Sequence, residues 1–236
     1  MSAAPAISVV VPLYNEEDNV VELQRQIDTA LTGHDYELVL VDDGSKDQTL
    51  ARIQPGPRVR VIVFEKNSGQ SAAMHAGIHG AKGGVIVTLD GDLQNDPADI
   101  PALVAKLGEG FDLVCGYRAK RKDTAFKRLQ SRIANFVRSR FVGDHVRDTG
   151  CTLKAMRRDC REALLLFNGM HRFIPALIRN MGWRVTEVPV NHRPRIHGVS
   201  KYGFGNRALR ATMDMFGVRW LNSRRTRYSI REEQKS

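Results

Sequence analysis

The stretch Val85–Pro97, VIVTLDGDLQNDP, decides the reading of the fold. A β-branched run flows into two aspartates separated by one glycine, and an Asn-Asp-Pro turn closes the segment. Such runs favour strands. An acidic residue directly before a proline suits a helix start, with Asp96 as cap and Pro97 in the first turn. Asp90 and Asp92 therefore stand at the carboxyl end of a strand, Val85–Leu89. Outward from this stretch the pattern recurs. Ile7–Leu13, Tyr36–Val41, Val59–Phe64 and Asp112–Tyr117 read as further strands, separated by helix-like segments Glu16–Leu31, Lys46–Ile53, Gly69–Ala81 and Ala98–Leu107. Near-continuous apolar strands alternating with helices predict an α/β fold with a mainly parallel, Rossmann-like sheet flanked by helices. Ligands of open parallel sheets bind outside the carboxyl ends of the strands.

The chain has 236 residues, 42% hydrophobic and 26% charged, an ordinary globular balance. No run approaches the ~18–20 apolar residues of a membrane-spanning helix, and the N-terminus lacks the basic start of a secretory signal. Cys115, Cys151 and Cys160 lack CxxC spacing, which predicts reduced thiols and a cytosolic setting. Neither GxGxxG nor GxxxxGK[ST] is present, which takes most of the weight from the dehydrogenase and NTPase readings. The net charge of +10 is unevenly placed: residues 1–117 carry 8 Lys+Arg against 17 Asp+Glu, and residues 118–236 carry 28 against 9. The second half is expected to meet something anionic or to present a solvated basic face. Two of its segments are basic and amphipathic. In the first, Phe126, Leu129, Ile133, Phe136 and Val137 share a helical face flanked by Lys127, Arg128, Arg132 and Arg138. In the second, from about Asn206 to Leu221, Leu209, Met213, Phe216 and Trp220 share one, flanked by Arg207, Arg210 and Arg219. Each suits core packing or a bilayer interface.

The chemistry concentrates at the strand ends. Asp90 and Asp92 can bind one divalent cation, and hard oxygen ligands suit Mg²⁺ or Mn²⁺, with substrate phosphates completing the shell. Gln94 is a third, weaker oxygen donor. At the end of the second strand, Asp42-Asp43-Gly44-Ser45 offers a carboxylate for a base N–H or ribose hydroxyl, or alternatively a helix cap from Asp43 or Ser45. Pro12, Tyr14 and Glu16 add an aromatic face and an acid at the neighbouring strand end, an arrangement fit for a nucleoside. His75 and His79, four apart on a helix, lack a third zinc ligand. Trp183 opens a further strand, residues 183–191, and reads as core; Met213, Met215 and Phe216 read as core or interface.

VVPLYNEE, LVLVDDGSKD, NSGQSAAMHAGI and TLDGDLQNDP, in this order, resemble the GT-A-fold glycosyltransferases of family 2. The blocks DTGCTLKAMRR (148–158) and HRPRIHGVSKYG (192–203) resemble the subgroup of dolichol-phosphate mannosyltransferase and bacterial polyprenyl-phosphate glycosyltransferases. The resemblance spans residues 7–221. It implies one catalytic domain over 1–236, with a nucleotide-sugar-binding half (1–117), an acceptor- and membrane-facing half (118–221) and a basic tail (222–236). It further implies that Pro12, Tyr14, Glu16, Asp43 and Gln70 hold the donor, and that Asp90, Asp92 and Gln94 hold Mg²⁺ or Mn²⁺ and the diphosphate. Arg118, Arg132, Arg195, Ser200 and Lys201 would face the phosphates of donor and acceptor. Asp92, Asp148, Arg195 and Lys201 would carry the chemistry, with inversion at the sugar. Relatives in this subgroup often end in transmembrane helices, so this chain is expected to be peripheral on the inner face of the cell membrane. Its basic and apolar surface, or a separate membrane-protein partner, would hold it there. After DTG this chain has Thr152-Leu153-Lys154 where relatives often have an aromatic-Arg pair.

The expected reaction is transfer of one sugar from GDP-mannose or a UDP-sugar to a polyprenyl phosphate. One alternative is a GT-A transferase acting on a sugar or glycolipid hydroxyl; the other is nucleic-acid binding, which the lack of a reader motif disfavours. The first two differ in their need for a base. A phosphate acceptor is already ionised near neutral pH, whereas a hydroxyl must lose its proton, so Asp148 reads either as a base or as an ion-pair partner of a nearby arginine. For a phosphate acceptor Asp148→Asn should slow single-turnover transfer less than Lys201→Ala does. The opposite order would favour the hydroxyl acceptor.

Overall fold

The computed structural model describes residues 4–119, 138–194 and 205–226, the side chains of 205–211 excepted. One sheet contains β1 (Ile7–Leu13), β2 (Tyr36–Asp42), β3 (Val59–Val63), β4 (Val85–Thr88), β5 (Leu113–Arg118), β6 (Lys154–Arg157) and β7 (Val185–Val190). Its order is β3-β2-β1-β4-β6-β5-β7. All pairings are parallel except those of β6, which runs antiparallel between β4 and β5. The helices include α1 (Val20–Ala30), α2 (Thr49–Arg52), α3 (Gln70–Gly80), α4 (Ile100–Gly108), α5 (Ile174–Asn180) and α6 (Gly205–Arg224).

The period-two alternation of a strand sends neighbouring side chains to opposite faces, and both faces of β1 are covered. Val9 and Val11 join Leu23 and Ile27 of α1 and Leu103 of α4 in one apolar layer. Val10 joins Ala73, Met74 and Ile78 of α3, Leu177 of α5 and Val218 of α6 in the other. Burial on both faces explains why β1 and β2 read as almost unbroken apolar runs.

The mainly parallel, helix-flanked α/β sheet expected from the sequence is the observed architecture. Three local differences have physical causes. The expected helix from Glu16 begins only at Val20, because Asn15 lies at φ 52° and the backbone N–H groups of Asn15 and Glu16 are taken by Ser45 Oγ (3.0 Å) and Thr49 Oγ1 (2.7 Å). The helix expected from Lys46 shortens to Thr49–Arg52, with Asp47, rather than Asp43 or Ser45, accepting from the Thr49 N–H at 2.9 Å. Strand β6 carries no strand-like pattern, since its four residues are Lys-Ala-Met-Arg. It is held by its neighbours, with Lys154 in register with Thr88 of β4 and Cys115 of β5.

Asp96 accepts from the Ala98 N–H at 3.1 Å just ahead of Pro97, as expected of a cap. Trp183 packs half-buried against the α3–α5 layer, as does Met215, whereas Met213 does not and Phe216 meets it only through the Phe141 ring, 4.8 Å between centroids. Met213, Phe216 and Trp220 are 65%, 60% and 64% exposed and form an apolar stripe on the outer face of α6. The whole apolar face of the other amphipathic segment, Phe126 to Val137, and the tail beyond 226 lie outside the described residues.

Gly77 of α3 lies where helix and sheet approach most closely: a Cβ there would sit 2.4 Å from Val10 Cγ1 and 3.0 Å from Val41 Cγ2. Gly77→Ala should therefore destabilise the protein by about 1–3 kcal/mol through overpacking, despite the better helix propensity of alanine. Urea denaturation measures this, and an unchanged or raised midpoint would contradict the packing.

Candidate functional site

The ends of β1, β2 and β4 and the start of α3 open onto a cleft of about 490 Å³. Pro12 lies at the end of β1 and Tyr14 and Glu16 follow it, Asp43 follows β2, and Gln70 begins α3. Asp90, Asp92 and Gln94 follow β4, and all eight line the cleft. These are the residues expected to hold the donor and the metal, brought together from segments up to about eighty positions apart.

The wall around the second strand is built by side-chain ties to backbone. The buried Asp43 carboxylate accepts from the Ser68 N–H (2.6 Å), the Gly69 N–H (2.9 Å) and Asn67 Nδ2 (3.0 Å), fixing the loop that leads into α3. Gly44 makes the turn possible: its φ is +67°, and a Cβ would lie 2.7 Å from the backbone of Lys66 and Asn67. Asn15 Oδ1 accepts from the Lys46 N–H at 2.8 Å, so the loops after β1 and β2 are bound to one another.

The acidic end of β4 is more tightly constrained. Leu93, directly after Asp92, is buried and held at φ 60°, a conformation costing roughly 1 kcal/mol for a non-glycine residue. The Gln94 N–H donates to Asp92 Oδ1 at 3.1 Å, and Gln70 Nε2 donates to Asp90 Oδ1 at 2.7 Å. Burial pushes the Asp90 carboxyl up to about 6, and the charge of Asp92 adds to the push. The Thr152 hydroxyl, the Lys154 charge and the Gln70 amide oppose it. Lys154 is itself buried on β6, its ammonium donating to the Cys151 carbonyl.

Among the described residues no group of three or more His, Cys, Asp or Glu side chains could hold a metal ion. A pair of mutually repelling carboxylates beside an amide oxygen nevertheless fits Mg²⁺ or Mn²⁺, which commonly take one or two carboxylates and fill their shells with water and phosphate oxygens. His75 and His79 stack at 4.2 Å between ring centroids, and burial lowers the pKa of both.

The second half of the chain closes the cleft from the other side. Thr149, Gly150 and Thr152 reach it from the loop before β6, and His171 and Arg172 from the turn before α5. The first three fall inside the DTGCTLK block. His171 and Arg172 carry no local signal, because their link to the site is a contact between His171 Nδ1 and Ser71 Oγ, 2.8 Å apart across 100 residues of chain. After β7 the chain returns to the β4 turn: Asn95 bridges to His192, the Arg193 N–H donates to the Gln94 carbonyl at 2.9 Å, and Arg193 pairs with Asp96 at 2.7 Å. The HRPRIHGVSKYG block thus begins beside the acidic turn; Arg195, Ser200 and Lys201 in it, like Arg132, lie outside the described residues.

Arg118 and Asp148 are absent from the cleft lining and engage each other. Arg118 Nε and Nη2 donate to the two Asp148 oxygens at 2.6 and 2.8 Å, a bidentate fork, and the Gly150 N–H adds a bond at 3.1 Å. Burial raises the Asp148 pKa, but the Arg118 hydrogen bonds and charge outweigh it and leave the carboxyl below its usual range.

The family model for glycosyl transferase family 2 matches residues 8–165. The chain belongs to glycosyl transferase family 2. It is 42% identical to a dodecaprenyl-phosphate galacturonate synthase of Rhizobium johnstonii, over 90% of this chain and 66% of that protein. It is 44% identical to an undecaprenyl-phosphate 4-deoxy-4-formamido-L-arabinose transferase of Pseudomonas fluorescens, over 83% of this chain and 60% of that one. The alignments thus span less than two thirds of these curated relatives. A solved structure, glucosyl-3-phosphoglycerate synthase of Mycobacterium tuberculosis with Mn²⁺, UDP and phosphoglyceric acid, superposes with a TM-score of 0.67. It is 20% identical and covers 92% of this chain and 78% of its own. The same enzyme with Mg²⁺ and UDP gives 0.65 at 21% identity, over 91% of this chain and 79% of its own. At these identities the likeness concerns the fold.

The raised Asp90 pKa has a thermodynamic consequence. Its folded value, about 6, lies above the ordinary 3.8, so the group favours folding fully below about pH 4, and that contribution is lost as pH rises through 6. Asp90→Asn cannot ionise and retains an oxygen for Gln70. In EDTA at pH 7.5 the variant should exceed the parent in stability by about 1–3 kcal/mol, with the difference fading below pH 4. Added Mn²⁺ should raise the parent's melting temperature increasingly above pH 6 and leave the variant unmoved. Equal Mn²⁺ shifts in both proteins would remove Asp90 from the metal site.

Proposed function

We propose that this chain transfers a single sugar, with inversion, from a nucleotide-diphosphate sugar to a polyprenyl phosphate at a membrane surface. The observation that carries the reading is the shared cleft: Asp90 and Asp92 line the same space as Pro12, Tyr14 and Asp43. A nucleoside can lie along the β1 and β2 loops while its diphosphate reaches the acidic end of β4. A divalent cation there, Mg²⁺ or Mn²⁺, would stabilise the charge of the departing diphosphate. Asp90 and Asp92 would be its protein ligands, with Gln94 supplying an amide oxygen.

The remaining steps fall to the chain's own groups. Asp43 keeps the donor-side loop rigid through three hydrogen bonds while lining the cleft. Tyr14 offers an aromatic face beside it. A carboxylate held below its usual pKa and forked by an arginine is a weak proton acceptor, so the Asp148–Arg118 arrangement suits an acceptor that arrives ionised. A polyprenyl phosphate is such an acceptor, and the relatives named above act on dodecaprenyl or undecaprenyl phosphate. Arg195, Ser200 and Lys201, in the block that starts beside the acidic turn, would orient the phosphate, together with Arg132.

Membrane attachment is supported by the outer face of α6. Met213, Phe216 and Trp220 lie on one stripe, more than half exposed, and Arg219 and Arg224 are exposed on the same helix. An apolar stripe with basic neighbours suits the boundary between lipid headgroups and acyl chains. Among the described residues no helix is long and apolar enough to cross a membrane. Attachment to the inner membrane face, directly or through a membrane-protein partner, is part of the same proposal.

The test is transfer of radiolabelled sugar into organic-extractable lipid, with a panel of GDP- and UDP-sugars, Mg²⁺ or Mn²⁺, and a polyprenyl phosphate that is included or left out. Label should enter lipid only when cation and polyprenyl phosphate are both present, and the active donor identifies the sugar. Donor hydrolysis without labelled lipid would leave the donor site standing and overturn the acceptor.

A further inference from the structure

The cleft is lopsided in charge. Glu16, Asp43, Asp90 and Asp92 line it, and among the described lining residues Arg172 is the one guanidinium. Its position is built rather than incidental. The turn that carries it starts at Gly169, whose N–H donates to Ser71 Oγ at 2.9 Å, while His171 Nδ1 meets the same hydroxyl at 2.8 Å. Ser71 is next to Gln70, the residue whose amide holds Asp90, so Arg172 is tied to the acidic end of β4 through a short chain of contacts. On its far side, Arg172 Nη2 donates to Asp214 Oδ2 at 3.1 Å, with both side chains about a quarter exposed.

Gly169 leaves the room this requires. It lies at φ +95°, and a Cβ would stand 2.5 Å from Arg172 Nη2 and 3.0 Å from Asp214 Oδ2. The Arg172 Nε is buried with no hydrogen-bond partner among the described residues. An oriented, partly desolvated guanidinium lining a cleft suits an anionic ligand, and a phosphate oxygen can be bound through its planar fork. The carboxylates that would engage a diphosphate through a cation leave its other oxygens uncompensated.

We propose that Arg172 is a phosphate-binding residue of the cleft, donating to a phosphate oxygen of bound substrate. Asp214 is its positioning residue, placed on the helix whose outer face carries the apolar stripe. The inference rests on the transferase reading of the cleft. The phosphate is either that of the nucleotide diphosphate or that of the polyprenyl acceptor.

The full chain, loaded with Mn²⁺, is titrated calorimetrically with UDP, GDP, uridine and guanosine, and KM for polyprenyl phosphate is measured with the active donor. Loss of a charge-assisted hydrogen bond in Arg172→Ala should weaken diphosphate binding about 10- to 100-fold and leave nucleoside binding unchanged. If instead diphosphate binding holds and KM for polyprenyl phosphate rises by that factor, the guanidinium serves the acceptor. Arg172→Lys should recover part of the loss. Asp214→Asn should shift the same constant less, and Asp214→Glu should restore it. These conservative variants also keep the test open should Arg172→Ala fail to fold.

The inference is overturned if Arg172→Ala binds diphosphates normally and leaves the acceptor KM within about twofold of the parent. It is equally overturned if nucleosides and diphosphates weaken together, which would mark a structural role. A parent protein that binds neither UDP nor GDP would instead remove the donor-site reading, and the inference with it.

Discussion

Two like-charged carboxylates at one buried strand end are the constraint around which this molecule is arranged. Asp90 and Asp92 repel each other in surroundings that already disfavour charge, and the Asp90 pKa near 6 records the result. The fold answers with an antiparallel strand wedged into an otherwise parallel sheet. Strand β6 brings a buried ammonium, Lys154, into register with the last residue of β4, and the loop before it delivers the Thr152 hydroxyl. Gln70 adds a neutral donor from the start of α3. These groups temper the repulsion without cancelling it.

Rigidity around that centre comes from side chains bonded to backbone across loops. Asp43 gathers the loop before α3, Ser45 and Thr49 hold the backbone after β1, and Asn15 returns a bond to Lys46. Such ties fix loop geometry more firmly than loop length alone would, since each satisfies a backbone N–H that water would otherwise take. The strained Leu93 is the converse: a buried apolar side chain anchors the turn and holds the backbone after Asp92 in a conformation it would not adopt alone.

The second half of the chain serves two surfaces at once. One side of α6 completes the core with Val218 and Met215 and reaches the cleft through Asp214 and Arg172; the other exposes Met213, Phe216 and Trp220. A helix placed in this way sets an apolar stripe and the cleft in fixed relation, the arrangement on which the proposed transfer to an acceptor with a charged head and an apolar tail depends.

The sheet strands β1 to β5 and the gathering of eight expected site residues in one cleft were legible in sequence, because a strand's apolar run and the polar turn that ends it are encoded within a dozen consecutive positions. Parallel alternation then requires those turns to share one edge. Strand β6 was not legible, since Lys-Ala-Met-Arg has no strand pattern and forms only because β4 and β5 present open backbone on either side. The Arg118–Asp148 fork, the return of His192 and Arg193 to the acidic turn, and the entry of His171 and Arg172 into the cleft were decided by tertiary structure. So was the outward face of Met213 and Phe216. Hydrophobic periodicity identifies which residues share a face of one element, but which face meets a partner, and which distant charge sits beside another, depends on the order in which the strands assemble.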